Sequence, residues 1–240
     1  MMSEFSIAIF LASALVAEIV GTIAGFGSAL LLTPIAAFFF DIKTTIALVS
    51  LFHFFGQVVD GFIWRRFIIW RIGILFSVFG VLFSVVGAYL ILYIPSRGLE
   101  IAFGIFLILY ALSALSGREI RLPKSDAAMV IGGGIVGFIA GVLGTAGAFR
   151  TAFLSSLHLK KEYFLGTSFA IAFFVDIARV GVYFKTGLLE TNLPLWISVF
   201  VVAIFGSLLA KKLVSKISAS LFHTIVYSVL LLAGIRFLFL

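Results

Sequence analysis

Two arginines of this sequence lie in stretches that are otherwise apolar. Arg150 ends the glycine-rich stretch GVLGTAGAFR, and Arg179 follows Asp176 by three residues in another apolar run. A guanidinium presents a planar fork of N–H donors that binds two oxygens of an anion at once. We therefore interpret Arg150 as a candidate anion ligand. The alternatives are that its side chain reaches back to water or pairs with an acid for structural reasons.

Asp176 and Arg179 have the spacing of two side chains on one face of a helix. This spacing predicts an internal ion pair. Such a pair is most often structural, and it becomes a gate where the arrival of a substrate breaks it. We favour the structural role and keep gating as the alternative.

Three further polar residues follow a helical spacing. His53, Gln57 and Asp60 stand at i, i+4 and i+7 and so share one helix face. His53 could relay a proton or donate to an anion, and Gln57 could add a hydrogen bond; the alternative for His53 is a packing role. Asp60 either belongs to this polar face or pairs with Arg65 or Arg66. We expect no metal site, because no second histidine lies at ligand spacing nearby.

Glu18 places a carboxyl group well inside the first apolar run. A carboxyl in such surroundings costs free energy and is a candidate functional group. Its two interpretations are a proton carrier and the counter-charge of an arginine.

The composition indicates what surrounds these groups. Hydrophobic residues make up 63% of the 240 residues and charged residues 11%, whereas charged residues are about a quarter of an average soluble domain. We predict an all-α integral membrane protein that forms one membrane domain. The net charge of +7 does not indicate a nucleic-acid partner, because the basic residues lie in short clusters between apolar runs. Cysteine is absent, which excludes disulfides and thiolate chemistry, and no cofactor is expected.

The apolar runs predict the membrane segments. Full spans of about 20 residues are expected near 44–63, 72–94, 98–116, 162–184, 192–213 and 218–238. Two longer runs, 5–40 and 126–157, are interrupted by glycines. We interpret each as a helix, a break and a shorter helix that returns to the side from which it came.

The two halves of the chain match each other. Gly21, Ala24 and Gly25 align with Gly137, Ala140 and Gly141; Lys43 aligns with Lys161, and Ser50 with Ser168. This duplication predicts two repeats, 1–118 and 124–240, each with about four helical segments of which the first is broken or re-entrant.

The distribution of basic residues predicts the orientation. If the loop after residue 63 is cytoplasmic, eleven basic residues lie inside and four outside, and both termini are extracytoplasmic. Lys43 then lies outside while its counterpart Lys161 lies inside, so the repeats are inverted. Paired broken helices in inverted repeats are typical of transporter binding sites near the membrane midplane.

The breaks themselves are candidate anion sites. The second half of a broken helix has unpaired backbone N–H groups at its start, and these attract anions. The candidates are Gly25, Gly27 and Ser28 in the first repeat and Gly144, Thr145, Gly147 and Ala148 in the second. The alternative is that the glycines only allow close packing of helices.

Several stretches also carry a family resemblance. They are a glycine-punctuated first helix in each half, a proline downstream in GFGSALLLTP, the apolar returns FFFDIKTTIALVS and SSLHLKKEYFLGTS, and GAYL or GSLL before a charged turn. These features resemble the TauE/SafE family over essentially the whole chain. The resemblance implies a membrane transporter that exports sulfite, sulfoacetate or a related organosulfur anion.

The sequence therefore predicts a secondary transporter of the cell membrane for a small anion, working by alternating access. No nucleotide-binding loop of the GxxxxGKS type is present. Coupling to protons or to sodium, and assembly as a homo-oligomer, stay open. The alternatives are a passive anion channel and an intramembrane enzyme that uses His53 and Asp60.

Overall fold

The computed structural model describes residues 4–24, 27–116, 125–213 and 219–239, and of residues 4, 24 and 219–225 only the backbone. In this part of the chain we find α-helices, one short 3-10 turn at Arg65–Phe67 and no strand. The first half contains α1 (Glu4–Ala24), α2 (Ala29–Ala36), α3 (Ile42–Trp64), α4 (Trp70–Leu90) and α5 (Ser96–Leu115). The second half contains α6 (Asp126–Leu143), α7 (Gly147–Ser155), α8 (Lys161–Lys185), α9 (Leu193–Leu213) and α10 (Ala219–Phe239).

The predicted integral membrane class is confirmed. Seven helices of the described residues, namely α1, α3, α4, α5, α6, α8 and α9, are long and apolar enough to cross a membrane. Each of the six predicted full spans corresponds to one helix. The largest difference lies at the end of α4, which stops at Leu90, whereas the apolar pattern continues to residue 94. The chain turns there before Pro95, which precedes α5.

Both interrupted runs form a helix, a break and a short helix. α1 has 21 residues and α6 has 18, which is about the length that crosses a bilayer. The short helices turn back along them. Phe40, just after α2, lies 6.0 Å from Phe10 near the start of α1, measured between ring centroids. Phe153 near the end of α7 lies against Gly132 near the start of α6.

The helices of the two halves pack in matching pairs. α1 packs on α9 as α6 packs on α4, and α3 packs on α9 as α8 packs on α4. The remaining large contacts join α5 with α10 and α3 with α8. If α1–α5 are exchanged with α6–α10 in the same order, this set of pairs is unchanged. A duplicated chain would pack in this way, and the repeat boundaries and the inversion stay predictions.

α3 and α8 occupy the centre of the bundle. In the most apolar 18-residue stretch of each helix, 61% of α3 and 67% of α8 is buried. The corresponding share is 33–44% in the other helices that are long enough to cross a membrane. The outer helices expose large apolar side chains such as Phe5, Trp70 and Leu109, as a lipid-facing surface requires. The buried polar side chains of α3 and α8, such as His53 and Asp176, are therefore removed from both lipid and water.

Glycines bring α4 and α6 into close contact. A Cβ atom on any of three glycines of α6, spaced by four residues, would collide with the backbone of α4. The facing positions are Gly133 with Phe76, Gly137 with Gly80, and Gly141 with Ser84. Small residues at this spacing let two membrane helices approach backbone to backbone. Gly137 and Gly141, which match Gly21 and Gly25 of the first half, therefore serve close packing of helices.

We expect Gly137→Ala to destabilise the protein by about 1–3 kcal/mol, because the added methyl group overpacks the α4–α6 contact. Thermal unfolding of the purified protein in detergent measures this change. Gly73→Ala on α4 is the matched control, since a Cβ there meets no described atom within 4 Å and alanine favours the helix. Equal unfolding midpoints for the two variants would contradict the close packing.

Candidate functional site

A buried network of charges joins the two central helices. On α8, Arg179 Nε donates to Asp176 Oδ1 at 2.9 Å, and the pair is the one that their spacing predicts. The other oxygen of Asp176 lies 2.6 Å from Nδ1 of His53 on α3. His53 Nε2 in turn lies 3.1 Å from Nε2 of Gln57. A histidine that donates from Nδ1 and accepts at Nε2 satisfies both contacts.

Arg179 also holds the end of α6 in place. Its Nη1 donates to Ser50 Oγ on α3 at 2.6 Å and to the carbonyl of Ala140 at 3.2 Å. Tyr183, one turn later, donates to the carbonyl of Gly141 at 2.6 Å. The last carbonyls of a helix have no partner within it. α8 therefore supplies donors to α6 just before the break at Gly144.

Arg150 is the second buried arginine. It lies in the first turn of α7 with a relative exposure of 4%, and its Nε donates to Ser168 Oγ on α8 at 2.9 Å. Among the described residues its Nη2 has no hydrogen-bond partner. Asp176 and Arg179 are near enough to act on it electrostatically. Arg150 therefore carries a positive charge and a donor that the described protein does not satisfy.

Both helix breaks have the backbone that glycine permits. Gly27 and Gly144 have φ angles of 86° and 73°, in the left-handed region that other residues rarely adopt. In the described chain neither α2 nor α7 receives a side-chain cap, whereas Asp41 caps α3 and Ser125 caps α6. The first N–H groups of α2 and α7 thus stay available to a ligand. The two short helices also contact each other.

His53 connects the first break to the charge network. A Cβ on Gly27 would collide with Nε2 of His53, so the imidazole lies directly against the break. The amide of Gly27 is used within the turn, where it donates to Gly21 O at 3.1 Å. Gly25, which the sequence also nominates, lies outside the described residues.

Glu18 and Asp60 form an acidic cluster, and His53 is near enough to act on Glu18 electrostatically. The hydroxyl of Thr22 lies 3.3 Å from Glu18 Oε1 and 3.2 Å from Asp60 Oδ2. Ser207 of α9 donates to Glu18 Oε1 at 3.1 Å. Glu18 has no arginine as its partner, and Asp60 does not pair with Arg65 or Arg66, in the part of the chain that the structure describes.

The structure thus sorts the nominated residues into two groups. The basic group contains the charge network and the two breaks, with His53, Gln57, Gly27, Gly144, Thr145, Gly147, Arg150, Asp176 and Arg179. The acidic group contains Glu18 and Asp60. Ser28 lies at the first break beside the Glu18 carboxyl. No group of three histidine, cysteine or acidic side chains suited to a metal occurs among the described residues.

Several contact residues were not nominated from the sequence. Ser50 and Ser168 are matched positions of the two halves, and each bonds one buried arginine, Ser50 with Arg179 and Ser168 with Arg150. Their equivalence was a usable signal. Thr22 stands one turn after Glu18, and this spacing could have predicted their contact. Nothing in the sequence predicts the contact between Ser207 and Glu18, which are 189 positions apart.

The chain also matches the model of a known protein family. The family model described as Sulfite exporter TauE/SafE matches residues 9–237. The chain belongs to this family. The TauE/SafE resemblance noted in the sequence is thereby confirmed over nearly the whole chain. No curated protein and no solved structure matches it.

Membership in the TauE/SafE family indicates what kind of protein contains these buried polar groups. The family consists of membrane transporters rather than enzymes. The protein is therefore a multi-pass membrane protein of a transporter family, and the arginine network lies where its two halves meet. Buried ionisable groups in such a bundle are candidates for the path of a substrate or ion.

Proposed function

We propose that this protein is a secondary transporter that exports a small sulfur-containing anion, sulfite or a sulfonate such as sulfoacetate, across the cell membrane. Arg150 binds the anion between the two helix breaks. The TauE/SafE family supplies the class of substrate and the direction, and the site chemistry supplies the sign of the charge.

The observation that carries this proposal is the free donor of Arg150. Its Nη2 is buried and lacks a partner within the described residues. A buried guanidinium that leaves a donor unpaired is costly. An anion with two or more oxygens would accept from Nη2, and the uncapped N–H groups at the start of α7 would donate to its other oxygens.

The charge balance of the basic group points the same way. Arg150 and Arg179 carry two positive charges and Asp176 carries one negative charge. One net positive charge therefore remains among these three side chains. A singly charged anion restores neutrality, and a cation or a neutral solute does not.

The position of this site supports a mechanism of alternating access. The short helices α2 and α7 contact each other, and each follows a glycine with a positive φ angle at the break. Movement of one hairpin relative to α3 and α8 would open the site to one side of the membrane and close it to the other. The ion pair Asp176–Arg179 stays within α8 during this movement, which suits a structural role.

The basic residues support the proposed orientation. Lys211 and Lys212 end α9, and Arg65 and Arg66 follow α3, so these helix ends would face the cytoplasm under the positive-inside rule. Both termini would then be extracytoplasmic. Protease protection of terminal tags in oriented vesicles tests this arrangement.

Transport is tested in proteoliposomes loaded with unlabelled anion. We expect labelled sulfite or sulfoacetate outside to accumulate transiently against its gradient, because a carrier exchanges one substrate molecule for another. Sulfate and acetate in place of the loaded substrate define the selectivity. Protein-free liposomes are the control.

The outcomes separate the candidate functions. Counterflow that needs a sulfur anion inside supports the carrier. Flux that only dissipates a gradient, without counterflow, would indicate a channel and overturn the proposal. So would equal counterflow of an amine or a neutral sugar, because a fixed positive charge selects against both.

A further inference from the structure

The acidic cluster of Glu18 and Asp60 is not used by the proposed anion site. Both side chains have a relative exposure of 1%. They come from different helices, α1 and α3, and meet at the hydroxyl of Thr22. Two carboxylates cannot be buried side by side without a positive charge or a proton, and within the described residues no lysine or arginine pairs with either.

Several oxygens of this cluster are left without partners. Glu18 Oε2 and Asp60 Oδ1 are buried and have no hydrogen-bond partner among the described residues. The hydroxyl of Ser28, which is 1% exposed, faces the Glu18 carboxyl without completing a hydrogen bond of good geometry to any described atom. Ser28 is a neutral donor from the first helix break, and so it is an observation independent of the two acids.

We infer that Glu18, Asp60, Thr22, Ser207 and Ser28 form a binding site for a sodium ion. All five supply oxygen, the atom that hard cations prefer. A proton on one carboxyl would satisfy at most its own oxygen and one acceptor, which leaves one of the three unpartnered oxygens over. A cation between them would coordinate several at once.

The distances within the cluster suit an ion of this size. Neighbouring oxygens around a cation with metal–oxygen distances of about 2.3 Å lie about 3.3 Å apart in an octahedral arrangement. The oxygen pairs here are separated by 3.1, 3.2 and 3.3 Å. Hydrogen bonds from hydroxyl to carboxylate are usually shorter, at about 2.5–2.7 Å. The hydroxyls therefore approach the carboxyls at the spacing of ligands that share an ion.

The surrounding helices are shaped to admit the Glu18 side chain. A Cβ on Gly56 of α3 would lie 2.6 Å from Glu18 Oε1, and a Cβ on Gly206 of α9 would lie 2.7 Å from its Cβ and Cγ. Such tight walls leave little room for water. Mg²⁺, which retains several waters and needs shorter bonds, fits poorly.

The charge of the cluster favours a singly charged ion over Ca²⁺. Calcium affinity depends on the number of charged ligands. Here two carboxyls bring at most two negative charges, and the other three ligands are neutral hydroxyls. Sodium has a similar size and needs less negative charge.

The site would couple sodium to movement of the first hairpin. Glu18 and Thr22 belong to α1 and Ser28 to the break, whereas Asp60 belongs to α3 and Ser207 to α9. A bound ion therefore fixes the α1–α2 hairpin to two neighbouring helices, and its release frees the hairpin. This coupling role rests on the proposed transport function, but ion binding itself does not.

Sodium binding is tested on the purified full-length protein in detergent, without added sulfur anions. Sodium chloride replaces choline chloride at constant chloride, and potassium, calcium and pH series run beside it. We expect the unfolding midpoint to rise saturably with sodium, because a ligand that binds only the folded state stabilises it. Saturable binding of sodium-22 to the wild-type protein is the second measurement.

The variants separate a specific site from a general salt effect. Glu18→Gln and Asp60→Asn should each remove the sodium-dependent shift, and Ser28→Ala should weaken sodium about tenfold. Asp126→Asn changes an acid whose side chain is 55% exposed, and it should keep the wild-type response. If Glu18→Gln and Asp60→Asn do not fold, Ser28→Ala and sodium-22 binding decide.

Three results would overturn the inference. They are no saturable sodium-22 binding by the wild-type protein, stabilisation by calcium or by low pH without any by sodium, and an unchanged sodium affinity in Ser28→Ala. The test is independent of anion transport. A protein that binds sodium but fails in counterflow would reject the proposed function and leave the sodium site standing.

Discussion

Arg150→Ala should weaken anion binding at least about a hundredfold and abolish counterflow in proteoliposomes. The variant removes the buried charge and the free donor that the anion would use, and loss of a buried, hydrogen-bonded charge from a binding site costs about 2–5 kcal/mol. Folding should survive, since Nε bonds only Ser168 and Nη2 bonds no described atom. Binding is measured by the shift of the unfolding midpoint with sulfite or sulfoacetate.

One further variant tests whether the shape of the group matters as well as its charge, and a second variant is the control. Arg150→Lys keeps the charge but loses the planar fork, so it should bind more weakly than the wild type and better than Arg150→Ala. Arg71→Ala is the control, because Arg71 forms an exposed pair with Asp126 and its side chain is 75% exposed. Wild-type anion affinity in folded Arg150→Ala would reject the binding role.

Asp176→Asn should destabilise the protein by about 3–5 kcal/mol, because it leaves the buried guanidinium of Arg179 without its carboxylate. Asp176 is 2% exposed and receives contacts from Arg179 and His53. An asparagine keeps the volume but supplies no negative charge and only one accepting oxygen. Thermal unfolding and the yield of monodisperse protein measure the loss.

A double variant identifies the cause of that loss. Asp176→Asn combined with Arg179→Gln removes both charges, so it should recover a substantial part of the stability that Asp176→Asn loses. Asp126→Asn breaks an exposed ion pair and should cost no more than about 1 kcal/mol. If Asp176→Asn unfolds at the wild-type temperature, the buried ion pair within α8 does not contribute to the stability of the protein.

The fold was largely predictable because membrane helices follow local rules. A segment must satisfy its own backbone hydrogen bonds in lipid, so length and apolarity alone place α3, α4, α5, α8 and α9. The breaks were predictable for a related reason. Glycine at Gly27 and Gly144 gives the chain a backbone conformation that interrupts a helix, and the same pattern occurs in both halves.

The candidate site was predictable only in part. The pair Asp176–Arg179 and the contact His53–Gln57 lie within one helix turn, where spacing determines proximity. The contact between His53 and Asp176 spans 123 positions and depends on how α3 packs against α8. No periodicity in either segment contains that information.

The acidic cluster also depends on contacts between helices that spacing within one helix does not predict. The sequence identified Glu18 as an unusual carboxyl and left two interpretations open, a proton carrier and the partner of an arginine. Tertiary packing placed Asp60, Ser207 and Ser28 around it, and glycines on α3 and α9 made the space.

By itself the sequence determined the membrane class, the helices and their breaks, and the chemical types of the buried polar groups, because these depend on local hydrogen bonding and on the cost of placing polar atoms in lipid. Only the tertiary structure decided which of those groups meet. Among the described residues Arg150 keeps an unpaired donor and Glu18 joins Asp60 because α7 packs on α8 and α1 packs on α9 and α3. Such contacts arise from the fit of whole helix surfaces, which no short stretch of sequence encodes.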